Sequence, residues 1–191
     1  MTREDIRLVD PERVLQTPRL HLEPLTVAHA IELYEPLQDR LLYGFIPQNP
    51  PSSPRALGER YRKLSTRRSP DGREAWLNWA MRDRETGGCV GVLEATVLGD
   101  RTASIAYTVF VPCQRRGFAA EGCERLLEHL FGDYGVSVVV AEIDTRNAAS
   151  IALVEGLGFR RVALHEDADH FKGSASDEYR YELRGPEHLR C

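Results

Sequence analysis

The sequence predicts a mixed α/β or α+β chain, built on one central sheet with helices against it, and three features predict it. Apolar strands joined by short turns fill its first half. From residue 118 onward, helical and extended patterns alternate. Between the two halves lies a strand–loop–helix junction, Val109-Phe110-Val111-Pro112-Cys113-Gln114-Arg115-Arg116-Gly117-Phe118-Ala119-Ala120. At 191 residues the chain is long enough for one well-buried domain and short for two, so a single domain is expected, with 1–14 a polar, loosely attached segment.

In order, Leu20 and Leu22 alternate with polar residues as in a half-buried strand. Thr26 is placed to cap a helix carrying Ala30, Ile31, Leu33, Tyr34 and Leu37 on its apolar face. Pro47, Pro50, Pro51 and Pro54 exclude regular helix or central strand from the next stretch, and a helix is expected over 54–66. Strands are expected over 75–81 and 89–98, joined at Thr86-Gly87-Gly88, and over 103–111. Pro112 has no N–H, so the strand's ladder should end there. A helix over 118–132 presents Ala119, Cys123, Leu126, Leu127, Leu130 and Phe131 inward and Glu121, Glu124, Arg125 and Glu128 outward. A strand (136–144), a helix (148–157) and a strand (160–165) follow. A connection rich in Asp, Gly and Ser then leads to a last strand over 178–184.

The central junction has the chemistry of an anion site. The first N–H groups of a helix lack intrahelical partners, and its dipole places partial positive charge at that end. Gly117 lets an anion approach the backbone, Ala119 and Ala120 keep the first turn small, and Arg115 and Arg116 add charge. The loop is neither a Walker A motif nor a dinucleotide-binding Gly-x-Gly-x-x-Gly. A second motif runs from Asn147 through Ser150 to Leu157-Gly158-Phe159, directly after the strand 136–144. Asn147 suits a helix N-cap, and Gly158 suits the residue just past the helix end.

Gln114-x-x-Gly117-x-Ala119 after a Val-x-Val-Pro strand resembles the pyrophosphate loop of the GNAT superfamily of acetyl-CoA-dependent N-acetyltransferases. The Asn147–Ser150 motif resembles the second cofactor motif of the same superfamily. An opening Thr17-x-Arg19-Leu20-x-Leu22-x-Pro24-Leu25 is similar to the Rim-type subgroup, which acetylates ribosomal-protein N-termini. The resemblance covers nearly the whole chain in element order. It implies a mostly antiparallel sheet in which strand 109–111 splays from its neighbour. It implies acetyl-CoA as acetyl donor and a primary amine, on a protein N-terminus or a small molecule, as acceptor. Backbone N–H groups at Phe110 and Val111 would polarise the acetyl carbonyl. The N–H groups of Arg116, Gly117, Phe118, Ala119 and Ala120 would meet the pyrophosphate, with Gln114 and Arg115 at the loop's start and Asn147 and Ser150 on the far side. The Pro-rich region with Tyr43-Gly44-Phe45-Ile46 becomes a candidate acceptor loop.

For proton transfer, Glu142 resembles the general base of the Rim-type enzymes by its spacing before Asn147, and Glu94 is its rival. His21, His29, His165 and His170 are weaker candidates. Many superfamily members carry a tyrosine acid seven positions after the motif asparagine. Val154 stands there in this chain, so Ser150 is the expected proton donor, with Tyr179 and Tyr181 as alternatives. The same departure leaves open a non-catalytic acyl-CoA-binding or regulatory module. Nothing resembles an activated covalent nucleophile, so direct transfer in a ternary complex is expected.

A net charge of −4 argues against a general nucleic-acid binder. The cluster Arg60, Arg62, Lys63, Arg67 and Arg68 reads as a solvated helix face. No run approaches the ~20 apolar residues of a membrane span, and the charged start lacks the apolar core of a signal peptide. Cys89, Cys113, Cys123 and Cys191 have no metal-ligand spacing and fit free thiols in a reducing compartment. A cytoplasmic monomer or homodimer without a metal is therefore expected.

Overall fold

The structure is a computed structural model, and it describes residues 7–171 and 173–185. Eight strands form one sheet: β1 (Leu15–Gln16), β2 (Leu20–Pro24), β3 (Glu74–Asp83), β4 (Cys89–Leu98), β5 (Thr102–Val109), β6 (Val138–Asp144), β7 (Arg160–Phe171) and β8 (Ser174–Arg184). Their spatial order is β1-β2-β3-β4-β5-β6-β8-β7. Every neighbouring pair is antiparallel except β5 and β6. Four α-helices flank the sheet: α1 (His29–Tyr34), α2 (Pro54–Leu64), α3 (Phe118–Gly132) and α4 (Ala148–Gly156).

Strand alternation sends side chains to two faces with separate packing. On one face Leu77, Leu93, Ala95 and Val139 pack with Leu126 and Leu130 of α3, and Val154 of α4 joins the same cluster. On the other, Ala80, Val92 and Phe110 pack with Leu33 of α1 and Leu57 and Tyr61 of α2. At Gly91 a side chain is excluded, because a Cβ would fall 2.1 Å from the Thr108 carbonyl oxygen. β4 and β5 therefore press together at the end of β5 that leads into the central junction.

Helix α3 spans the expected residues, but Glu121 turns inward. It accepts from the Thr17 hydroxyl (2.5 Å), the Arg19 N–H (2.8 Å) and Arg19 Nε (2.6 Å). Burial pushes its carboxyl up, and the bonds from Thr17 and Arg19 outweigh that and hold it below its ordinary value. In α1 the expected Ile31 is 84 % exposed, and Ala30 and Leu33 carry the buried face instead. Thr26 meets His29 Nδ1 at 3.0 Å through its hydroxyl, while Ala28 occupies the N-cap position. Arg67 also departs from the solvated reading. It is buried with φ 61° and donates to Glu12 at 2.8 and 3.1 Å.

Of the segment expected to be loose, residues 1–6 lie outside the described residues, and 8–13 are fastened. Leu8 packs on the core, the Val9 N–H donates to Tyr134 Oη at 3.2 Å, and Arg13 pairs with Asp133 at 3.4 Å. The expected Asp/Gly/Ser connection is instead the paired part of β7 and β8, turning at Gly173 with φ 82°. Its side chains are mostly exposed, so no apolar alternation marked it as strand. Cys89, Cys113 and Cys123 are free thiols, and Cys191 lies outside the described residues.

The end of β6 is locked by one carboxylate. Buried Asp144 accepts from the Arg146 N–H (2.8 Å), Arg146 Nε (2.9 Å) and Ser176 Oγ (2.7 Å). The bond from Arg146 holds its carboxyl at about 2, against burial, which pushes it up. Since the folded value lies below the ordinary 3.8, this stabilisation is complete above pH 3.8 and is lost as pH falls through about 2. Asp144→Asn should therefore lower stability at pH 7 by about 1–3 kcal/mol and flatten the loss of stability between about pH 4 and 2, as read by denaturant unfolding across pH.

Candidate active site

The site begins where two strands stop pairing. β5 and β6 run parallel through Thr102↔Val138, Ala103↔Val139 and Ser104↔Val140, and no pair follows among the described residues. β5 continues against β4 as far as Val109↔Gly91, while β6 continues against β8 to Asp144↔Glu178. Beyond Ser104 one edge of β5 therefore faces a gap. The Phe110 N–H donates to the Val90 carbonyl at 2.9 Å, which points it toward β4. Alternation then turns the backbone groups of Tyr107 and Val109 toward the gap. Consistent with this, the Val109 carbonyl accepts Gln114 Nε2 at 3.0 Å. The expectation that Phe110 supplies a free N–H is thus corrected: that group is spent on β4, and the ring is buried against α1 and α2. Among the described residues the N–H groups of Val111 and Val109 have no partner.

A tight turn follows at 111–113, then Arg115 and Gly117 take left-handed backbone at φ 62° and 81°. Gly117 is the residue immediately before α3 and has no side-chain cap, so the N–H groups entering the helix stay open. The Arg19 guanidinium donates to the Arg116 carbonyl at 2.9 Å and stacks 4.9 Å from the Phe118 ring centre. Arg116 stacks on the same ring at 4.8 Å. Glu121 holds Arg19 in place, so the loop is braced from β2 rather than left to itself.

Across the gap, Asn147 Oδ1 accepts the Ser150 N–H at 3.2 Å as the N-cap of α4. Tyr107 bridges the two sides, its phenol donating to the Ser150 carbonyl at 3.3 Å. Burial pushes the Tyr107 phenol up to about 12, so it remains a donor at neutral pH. Between these elements lies a cleft of about 680 Å³. Of the sequence-predicted residues, Gln114, Arg115, Gly117, Phe118, Ala119, Ala120, Asn147 and Ser150 line it; Phe110, Val111, Arg116, Glu94 and Glu142 do not. Leu41, Leu42 and Phe45 also line it, so the expected acceptor loop reaches the site through Phe45 and not through its prolines. Tyr107, Thr108, Val109 and Cys113 also line it. Tyr107 went unassigned because in sequence it is one more aromatic residue in a strand.

The two base candidates, Glu94 and Glu142, sit outside the cleft's lining, whereas Ser150, the expected proton donor, belongs to it. The pairs Asn78↔Glu94↔Ala106 and Ser104↔Val140, with Glu142 two residues after Val140, place Glu94 and Glu142 on the sheet face opposite α3 and α4. They flank the small Ala106 at the level where the strands part. Glu142 meets Arg180 at 3.2 Å, and Glu94 meets Arg60 at 3.6 Å. Val154 is 0 % exposed, sealed in the core. Tyr181 is also buried and donates to Glu155 at 2.9 Å, and Tyr179 lies under Arg161. His29 bonds the Thr26 N–H at 3.0 Å and Glu23 at 3.2 Å, a local clasp away from the cleft.

A strand edge offering N–H groups to a ligand whose anionic end rests on a helix terminus suits an acyltransferase that draws on a phosphate-bearing acyl carrier. Residues 19–160 match the acetyltransferase (GNAT) domain, and the chain belongs to that family. It is 26 % identical over 102 residues to the uncharacterized N-acetyltransferase p20 of Bacillus licheniformis, a match covering 52 % of this chain and 57 % of that protein. Its fold is similar to RimL, a ribosomal alpha-N-protein acetyltransferase in complex with coenzyme A (TM-score 0.82, 16 % identity, 91 % of this chain and 98 % of that one). It is also similar to the Salmonella typhimurium acetyl transferase that modifies the N-terminal serine of a 50S ribosomal subunit protein (TM-score 0.78, 16 % identity, 90 % and 99 %). Membership of this family favours the enzyme over a non-catalytic acyl-CoA-binding module. Among the described residues no helix is long and apolar enough to cross a membrane.

Gly117→Glu puts a carboxylate on a left-handed backbone at the mouth of the anion site. It should weaken coenzyme A binding by about 100-fold or more in calorimetric titration, by charge repulsion and strain together. Unchanged affinity would contradict the anion-site assignment.

Proposed function

We propose that this chain is an acetyl-CoA-dependent N-acetyltransferase that acetylates a primary amine by direct attack within a ternary complex. The observation that carries this reading is the free edge of β5, which leads from the parting of β5 and β6 to the N-terminus of α3. Acetyl-CoA, when bound, supplies the activated thioester. The N–H groups from Gly117 to Ala120 at the start of α3, with Arg115 beside them, hold its pyrophosphate, and the Asn147 side chain lines the pantetheine side of the cleft. N–H groups at Val111 and Val109 stabilise the oxyanion formed when the amine attacks the carbonyl carbon.

The acceptor enters from the face opposite α3 and α4. Glu142 takes the proton from the attacking amine, directly or through water, and Glu94 is the second candidate for that role. As the C–N bond forms and the C–S bond breaks, the Ser150 hydroxyl protonates the departing thiolate. The Rim-type neighbours support a protein N-terminus as acceptor, and small-molecule amines fit the same chemistry.

A thiol-release assay over amines and peptides tests the reaction. Glu142→Gln should reduce kcat by about 10²–10⁴-fold with coenzyme A affinity unchanged. Full turnover in both Glu142→Gln and Glu94→Gln would remove carboxylate base catalysis from the account.

A further inference from the structure

Under α2, on the acceptor face, two buried polar side chains have no hydrogen-bond partner among the described residues. Asn78 on β3 is 5 % exposed, and among the described residues its carboxamide makes no hydrogen bond; only its backbone carbonyl is used, by the Leu25 N–H at 2.8 Å. Tyr61 on α2 is 4 % exposed, and its hydroxyl is likewise unpartnered among the described residues. Burial pushes that phenol's pKa up, so it stays a donor. Neither group is among the fully sealed, unpartnered atoms, so both keep an opening to solvent. Side chains this deeply buried are nearly always bonded within the protein, so two that lack a protein partner yet stay open to solvent are available to a ligand's polar group.

The two positions converge on the place where the strands part. Asn78 stands directly opposite Glu94, and Glu94 directly opposite Ala106, on one face. Ala106 is the next residue on that face after Ser104, the last to pair with β6. Tyr61 packs with Ala80 and Val92, the cross-strand pair beside Asn78 and Glu94 on that face. Arg60, adjacent to Tyr61, reaches Glu94 at 3.6 Å.

We propose that Asn78, Tyr61 and Glu94 form the acceptor's selectivity pocket, which takes amines carrying a neutral hydrogen-bonding group, a hydroxyl or carboxamide, close to the reacting nitrogen. Glu94 attracts the ammonium, and Asn78 and Tyr61 bond the neutral group. An apolar isostere leaves both unpaired, which is the kind of contact that discriminates strongly. The inference rests on the acetyl-transfer reading above.

The test is kcat/KM for matched acceptors: ethanolamine against propylamine, glycinamide against isobutylamine, and tripeptides beginning with threonine against those beginning with valine. The polar member should be favoured, by about tenfold or more. Asn78→Leu and Tyr61→Phe should each bring that ratio toward one with coenzyme A affinity unchanged; comparing ratios between variants cancels differences in amine basicity. Equal rates within every pair, a ratio retained in Asn78→Leu and Tyr61→Phe, or coenzyme A binding without turnover of any pair would each overturn the pocket. Absence of coenzyme A binding to the wild-type chain would instead overturn the transferase reading beneath it.

Discussion

The site depends on one unmet requirement of the backbone. A strand has two hydrogen-bonding edges, and β5 pairs along one of them with β4 from Ala103 to Val109. Its other edge loses β6 after Ser104, yet it stays inside the molecule, between the ends of α3 and α4. Backbone N–H and C=O groups in such a place need partners. Gln114 supplies one, to the Val109 carbonyl, and the Val109 and Val111 N–H groups beside it have none among the described residues. The same parting leaves Glu94 and Glu142 at its level on the face opposite α3 and α4.

The rest of the structure holds that edge still. Gly91 allows β4 to lie close against Thr108 and Val109, so the paired edge cannot drift. The loop beyond it is fixed through a chain of contacts from Glu121 to Arg19 to the Arg116 carbonyl. On the opposite bank, Asp144, Arg146 and Ser176 fix the end of β6 immediately before Asn147 caps α4. Tyr107 ties the two banks together. The site is thus a gap with rigid margins, and rigidity of this kind is what lets fixed dipoles stabilise charge that appears during reaction.

Much of this was legible in the sequence. Local rules dictate the helix over 118–132, the glycine at 117 and the asparagine cap at 147, and these can be read from neighbouring residues alone. What could not be read depends on partners distant in sequence. Phe110 and Val111 look equivalent in a strand, and only the register with β4 decides which N–H is spent. Glu121 looks like a solvent-facing helix residue, and only the approach of Thr17 and Arg19 turns it inward. The extension of β7 and β8 carries no apolar alternation, because neither face of that ribbon is well buried. Asn78 is an ordinary polar residue in an apolar strand until the sheet places it opposite Glu94.

The account's central claim is that the free edge of β5 and the first turn of α3 hold the cofactor. Amide hydrogen exchange resolved to single residues, with and without coenzyme A, addresses it most directly. Binding should slow exchange at Val109, Val111 and Gly117–Ala120, and leave Phe110, already bonded to Val90, unchanged. Coenzyme A that binds without slowing Val109, Val111 or the first turn of α3 would contradict the account.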